Sequence, residues 1–176
     1  KEYMKRMLKE YENFYHEGQF VDEKTIEDIA IAATLHDIGK VGIPDNILNK
    51  PGKLTDEEYE IIKQHVVIGR DTLEGTYGNK LSNNVLQYAK DIVYHHHEKF
   101  DGTGYPEGLK NDEITTICKI MAVIDVYDAL VNDRVYKKAM PYEEAEQYII
   151  EQSGKAFDPK AINIFRIVKE DLRRIN

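Results

Sequence analysis

The stretch TTICKIMAVIDVYDALVND, residues 115–133, decides the fold that we expect for this chain. Either Thr115 or Thr116 can cap the first turn of a helix that ends near Asp133. Its apolar residues recur at helical spacing, at Ile120, Val123, Ile124, Tyr127 and Leu130. The stretch therefore predicts a strongly apolar helix.

Signals on both sides of this stretch predict six more helices. Capping residues, a capping box of Thr55 with Glu58, first-turn prolines and terminating glycines define their ends. They cover about residues 1–15, 22–37, 55–75, 82–97, 141–154 and 158–174. Residues 40–54 are expected to form a loop or single turns, and residues 100–112 a glycine-rich loop, with a short hairpin as the alternative. Since no alternating pattern supports a sheet, we predict an all-α domain of about seven helices.

The composition narrows the class of protein. A chain of 176 residues, 41% of them hydrophobic, is long enough for one domain with its own core. The apolar stretches are far shorter than the roughly 20 residues that span a bilayer, so no membrane contact is expected. A net charge of −8 argues against binding of a nucleic-acid polymer. Cys118, the single cysteine, excludes an internal disulfide framework and fits a reducing compartment.

Five of the six histidines fall in three places along the chain. Two aspartates accompany them, one beside the first histidine and one inside the apolar helix. The residues are His36, Asp37, His65, His95, His96, His97 and Asp125. Taken singly, each allows another interpretation, because a lone helical histidine is more often a core residue and a histidine run can be a solvated helix end. Asp125, inside the apolar helix, is harder to explain in this way, because a buried carboxylate needs a partner or a metal.

Together, these residues favour a metal site on converging helices. They offer more donors than the four that one tetrahedral zinc ion takes, so they suit a pair of ions. Imidazole mixed with carboxylate favours transition metals over calcium or magnesium. Two such ions are a recurrent device for phosphoryl hydrolysis. Lys40 and Arg134 flank the expected ligands and could contact phosphate, whereas Lys138 is expected to be surface charge.

Four segments carry a resemblance to a known family. They are HDIGKVGIPD at 36–45, KPGKLTDEE at 50–58, HHEKFDGTGYP at 96–106 and DVYDALVNDRVYKKAM at 125–140. The chain resembles the HD-GYP family, a branch of the HD metal-dependent phosphohydrolases that acts on the bacterial second messenger cyclic di-GMP. The resemblance runs from about residue 22 to residue 159. It implies one HD-type helical domain over residues 1–176, in which residues 1–20 are an N-terminal helix truncated at its start, and a location in the bacterial cytoplasm.

The resemblance also implies a role for individual residues. The implied metal ligands are His36, Asp37, His65, His96, His97 and Asp125. Asp37 would bridge two divalent ions, of which iron or manganese is expected first and zinc or nickel second. Members with three metals carry a further glutamate and histidine, and Tyr3 or Met4 stands where that histidine would lie, so a third metal is not expected. His95 and His16 match no ligand position, and we expect packing for the first and surface exposure for the second.

Substrate contacts follow from the same resemblance. Lys40 matches a lysine at the scissile phosphate and, with Asp37, is the expected catalytic residue. Arg134 and Lys137 match phosphate-binding positions, and Tyr105 matches a residue that lines the guanine pocket. The implied mechanism is attack on phosphorus by a metal-bridging hydroxide.

The function expected from this resemblance is a phosphodiesterase that opens cyclic di-GMP to linear pGpG, or on to GMP. One alternative is a catalytically silent cyclic di-GMP sensor, or a module that docks a diguanylate cyclase (GGDEF) domain. A second is an HD phosphohydrolase that acts on another nucleotide or cyclic dinucleotide. An upstream sensory or receiver domain is an expected partner that this chain would lack.

Overall fold

The computed structural model describes residues 1–77, 81–133 and 138–175, and of residues 76–77 the backbone alone. These ranges contain helices α1 (Glu2–Tyr15), α2 (Glu23–Ala33), α3 (Asp45–Leu48), α4 (Asp56–Lys63), α5 (His65–Thr72), α6 (Asn83–His95), α7 (Thr116–Val131), α8 (Tyr142–Glu151) and α9 (Pro159–Ile175). Short 3₁₀ turns lie at Ile38–Gly42 and Asn111–Glu113, and a π turn lies at Leu73–Tyr77. Within these ranges there is no strand, only two isolated β-bridges. The all-α prediction is confirmed.

All seven predicted helices are present, but two of them differ from their predicted extent. The helix predicted over residues 22–37 ends at Ala33. There the Thr34 hydroxyl donates to the Ile31 carbonyl oxygen at 2.7 Å, and the Thr34 N–H bonds the same oxygen. Such local bonds compete with continuation of the helix. The helix predicted over residues 55–75 is divided at Gln64 into α4 and α5.

Helix α7 is the centre of the packing. It contacts α1, α6, α8 and α9, and its apolar residues are buried on several sides, as its sequence predicts. Tyr127 shows the arrangement, because its ring lies 5.8 Å from that of Tyr3 in α1 and 5.2 Å from that of Phe165 in α9. This core fixes α7, and with it Asp125. No helix in the described ranges is both long and apolar enough to cross a membrane.

A glycine brings the turn after α2 against α5. The 3₁₀ turn Ile38–Gly42 packs on α5, and Gly39 in it is buried. A Cβ atom at Gly39 would lie 1.8 Å from the carbonyl oxygen of His65 and 2.5 Å from the amide nitrogen of Gly69. Neither backbone atom can give way as a flexible side chain would. Only glycine therefore allows residues 36–40 to approach His65 this closely.

We expect Gly39→Ala to destabilise the protein by about 2 kcal/mol or more, because inserted volume in a packed core forces the backbone apart. Urea unfolding followed by circular dichroism measures this. Gly75→Ala is the matched control, since nothing lies within 4 Å of a Cβ atom there. Equal stability of the two variants would show that the contact at Gly39 is not needed.

Candidate metal centre

The side chains of the six predicted ligands converge at one place. His36 and Asp37 come from the turn after α2, and His65 opens α5. Donor atoms of Asp37, His65, His96 and His97 lie within 4.8 Å of one another. The structure adds His36 and Asp125 to this group, as described next, and we call the six residues the ligand cluster.

The carboxylate of Asp37 lies between two sets of nitrogen atoms. Its Oδ1 atom is 3.6 Å from His65 Nε2 and 3.9 Å from His96 Nε2. Its Oδ2 atom is 3.4 Å from His36 Nε2 and 2.5 Å from Lys40 Nζ. His36 Nε2 is also 3.5 Å from Oδ1 of Asp125. Each oxygen of Asp37 therefore faces different partners.

Backbone carbonyl groups fix the orientation of three of the imidazole rings. The Nδ1 atoms of His36, His65 and His96 lie 2.9, 2.7 and 2.9 Å from carbonyl oxygens in the preceding helical turn. Since a carbonyl accepts, Nδ1 must carry the proton, and Nε2 of a neutral ring has a free lone pair directed at the cluster. This arrangement is typical of metal-ligating histidines.

Two of these lone pairs are buried and unpaired. His65 Nε2 and His96 Nε2 have no hydrogen-bond partner among the described residues, although their side chains are only 1% and 0% exposed. A buried polar atom without a partner is costly, and in a native protein it calls for an explanation such as a bound ion. The donor set therefore fits a transition metal.

Burial and charge set the protonation states in the cluster. Burial, aided by neighbouring imidazoles, lowers the pKa of His96 to about 4 and that of His97 to about 3, so both rings are neutral at pH 7. Burial opposes protonation of His36 as well, but hydrogen bonds to Asp125 and Asp37 outweigh it and raise the pKa to about 10. The carboxylates of Asp37 and Asp125 thus stabilise positive charge on His36.

The loop after α6 folds back onto this cluster. The ring of Tyr105 stacks on that of His97 at 4.9 Å, with 21° between the planes. The buried carboxylate of Glu98 accepts hydrogen bonds from the backbone N–H groups of Glu107 at 2.7 Å and Leu109 at 3.0 Å. A Cβ atom at Gly104 would lie 2.5 Å from the His97 carbonyl oxygen. The loop is therefore held against the backbone that follows the histidines.

The remaining predicted site residues are placed less completely. Lys40 lies at the edge of the cluster on Asp37, and Tyr105 lies beside it on His97. Arg134 and Lys137 lie outside the described residues. Among the other histidines, His95 turns away from the cluster, with Nδ1 2.8 Å from Asp91 Oδ1, and His16 is exposed at the end of α1.

Sequence reasoning missed two features of this region. Glu98 was not expected to anchor the loop, although its place directly after two ligands is a signal that could have suggested it. Asp91, His95 and the buried Cys118 form a second close group. In it Asp91 accepts a hydrogen bond from Thr115 at 2.7 Å and joins α6 to the start of α7. Their spacing of four residues, from Asp91 to His95, was the available signal.

A family profile matches most of this chain. The profile described as "HD domain" matches residues 4–161. The chain belongs to the HD domain family. Similarity to cyclic dinucleotide phosphodiesterases, reported next, confirms the HD-GYP resemblance within that family. A crystal structure of a cyclic GMP-AMP-specific phosphodiesterase from Vibrio cholerae shares the fold of this HD domain. The aligned region covers 98% of this chain and 44% of the phosphodiesterase chain, with a TM-score of 0.60 and 19% sequence identity.

Three curated relatives from Vibrio cholerae illustrate the similarity of this HD domain. A "Probable cyclic di-GMP phosphodiesterase" is 50% identical over 80% of this chain and 32% of its own length. A "Cyclic di-GMP phosphodiesterase" is 43% identical over 96% of this chain and 34% of its own length. A "3'3'-cGAMP-specific phosphodiesterase 2" is 41% identical over 81% of this chain and 26% of its own length. The HD domain thus spans about a third of the length of these relatives or less.

We expect His65→Ala to weaken transition-metal binding by at least about a hundredfold, more than changes to hydrogen-bond partners of ligands cause. Metal per chain, counted by mass spectrometry after dialysis against manganese, measures this. Wild type should also lose thermal stability in a chelator, because a ligand that binds only the folded state raises its stability. The variant should lack this metal-dependent shift.

His16→Ala is the control for this experiment, since His16 is exposed and lies at the end of α1. It should retain the metal content and the chelator response of wild type. Full metal occupancy in His65→Ala would contradict the assignment of His65 as a ligand.

We expect Glu98→Ala to destabilise the protein by about 2 kcal/mol or more, because two backbone N–H groups lose their buried acceptor. Urea unfolding is the measurement. The control is Glu107→Ala in the same loop, whose side chain is 49% exposed, and it should change stability by less than about 0.5 kcal/mol. If both variants were equally stable, Glu98 would not anchor the loop.

Proposed function

We propose that this HD domain is a metal-dependent phosphodiesterase that hydrolyses cyclic di-GMP to linear pGpG, to GMP or to both. The observation that carries the proposal is the position of Asp37, whose two oxygens face different imidazole nitrogens in one cluster. A carboxylate in that position can bind two cations at once. The names of the curated relatives support the substrate.

Two divalent transition-metal ions are the proposed cofactor, with iron or manganese expected before zinc or nickel. Asp37, His65, His96 and His97, which form the tight group of donors, would hold one ion. Asp37, His36 and Asp125 would hold the other. In the cavity beside His36 and Asp125, Tyr3 and Met4 supply no imidazole or carboxylate, and Asp128 adds a carboxylate but no imidazole, so we propose two ions rather than three.

When bound, such ions activate water and stabilise the oxygens of a phosphate. The residues of the chain would orient the substrate around them. Lys40 Nζ, beside Asp37, can donate to a phosphate oxygen and offset the charge that develops in the transition state. Arg134 and Lys137 are proposed to bind the other phosphate.

Tyr105 would supply a neutral hydrogen-bond donor next to the cluster. Burial, with Tyr59 and two carboxylates nearby, raises the pKa of its hydroxyl, so the hydroxyl keeps its proton at pH 7. No side-chain nucleophile is required. The one thiol, Cys118, is buried and donates to the Asp91 carbonyl oxygen, and burial raises its pKa well above its usual value.

A hybrid cyclic dinucleotide is the second candidate substrate. The observation that favours it is the 41% identity to a 3'3'-cGAMP-specific phosphodiesterase. The silent-sensor alternative is weaker, because all six ligand residues are present and brought together. Docking to a GGDEF domain, an upstream sensory domain and a location in the bacterial cytoplasm are further proposals, suited to a domain that spans only part of its relatives.

The decisive experiment is hydrolysis of cyclic di-GMP by protein that is purified without oxygen, with bound metal counted on the same sample. We expect about two metals per chain, as a two-ion mechanism requires. Chromatography should show conversion of the substrate and identify the product as pGpG, GMP or both. The same assay with 3'3'-cGAMP compares the two candidate substrates.

Asp37→Ala should abolish hydrolysis and reduce the metal content, with His16→Ala as a control that retains both. Two metals per chain with both substrates intact would contradict the proposal. Binding of cyclic di-GMP without hydrolysis would support the sensor instead.

A further inference from the structure

A pair of tyrosines with a lysine extends outward from the ligand cluster. Tyr105 stacks on His97, and the ring of Tyr59 in α4 then meets Tyr105 edge-on at 6.4 Å. Lys63, one turn further along α4, places Nζ 5.1 Å from the centre of the Tyr59 ring and 5.5 Å from that of Tyr105. Tyr59 is a large aromatic residue that remains 46% exposed.

We infer that Tyr59 and Lys63 form a nucleobase-binding subsite that prefers guanine over adenine. The assignment rests on the proposed function, and it adds residues of α4 that the sequence motifs did not single out. Two successive ring contacts separate Tyr59 from the ligand cluster. A nucleotide whose phosphate lies at that cluster carries its base one ribose away, so its base can reach this pair.

Stacking is the first part of the recognition. An exposed tyrosine face offers a platform for a base, because every base has a π face. Tyr105 meets the Tyr59 ring edge-on and Lys63 Nζ lies over it, while Tyr59 stays 46% exposed. A base can therefore stack on the exposed part of the Tyr59 ring, beside the Lys63 ammonium group.

Lys63 gives the preference among purines. Its ammonium group is a donor with no acceptor. One of its three donors is used by Glu60, whose Oε1 atom lies 2.5 Å away and whose side chain is 64% exposed. Guanine presents two acceptors, O6 and N7, on one edge, whereas adenine replaces O6 with an amino donor. The remaining N–H donors of Lys63 can therefore bond O6 and N7 of guanine. On adenine they would face the amino donor that replaces O6.

The test is equilibrium binding of GMP, AMP and ribose 5-phosphate to manganese-loaded protein, followed by calorimetry. Tyr59→Ala should weaken GMP binding about tenfold, within the range that base–aromatic stacking supplies. It should leave ribose 5-phosphate unchanged, since that probe carries no base. Lys63→Met should bring GMP and AMP to equal affinity, whereas wild type should favour GMP several-fold.

Two variants serve as controls. Phe14→Ala removes an aromatic side chain that is 52% exposed on α1, and Lys24→Met removes a lysine that pairs with Asp28 within its own helix, as Lys63 pairs with Glu60. Both should bind the three probes like wild type. An equal loss for GMP and ribose 5-phosphate in Tyr59→Ala, or a retained GMP preference in Lys63→Met, would overturn the inference.

The outcome is separate from that of the proposed function. Binding is read without hydrolysis, so a base preference that depends on Tyr59 and Lys63 can be established in a protein that leaves cyclic di-GMP intact. Conversely, hydrolysis of cyclic di-GMP with unchanged base binding in both variants would retain the proposed function and reject the subsite.

Discussion

The functional site of this domain depends on one electrostatic constraint, since the half-buried Asp37 carboxylate lies among imidazole rings. Backbone carbonyls hold Nδ1 of His36, His65 and His96, so these rings cannot turn toward another partner without losing a hydrogen bond. Their Nε2 atoms must therefore face the carboxylate or an ion. Because unpaired buried polar atoms oppose folding, the helices that carry them must be held together by other contacts.

Those contacts are apolar and lie around α7. Tyr127 and its neighbours bury one helix against four others, and this hydrophobic core is the favourable term that offsets the cost of the polar cluster. Asp125 projects from the same helix, so the core that stabilises the fold also places a ligand. Gly39 completes the arrangement by letting the turn with His36 and Asp37 reach α5.

The site is divided between rigid and exposed parts. The residues of the ligand cluster lie within helices or close to their ends, where packing and backbone hydrogen bonds hold them and where a precise constellation is best supported. The proposed substrate contacts lie further out. Tyr105 sits on a loop that Glu98 ties to the end of α6, and Tyr59 and Lys63 lie on the half-exposed helix α4. Such positions can vary while the metal chemistry stays the same.

The helical class and the seven helical regions follow from sequence alone, and the motifs predict the six residues of the ligand cluster. Periodicity and capping are local properties, and the ligands stand in compact motifs. Tertiary structure alone decided which oxygen of Asp37 faces which histidine, that Glu98 anchors the loop, and that Tyr59 meets Tyr105. His36 and Asp125 are 89 positions apart in the sequence, and Asp37 and His65 are 28 positions apart, yet each pair is in contact. Local patterns carry no information on such contacts, because these contacts follow from how the helices pack.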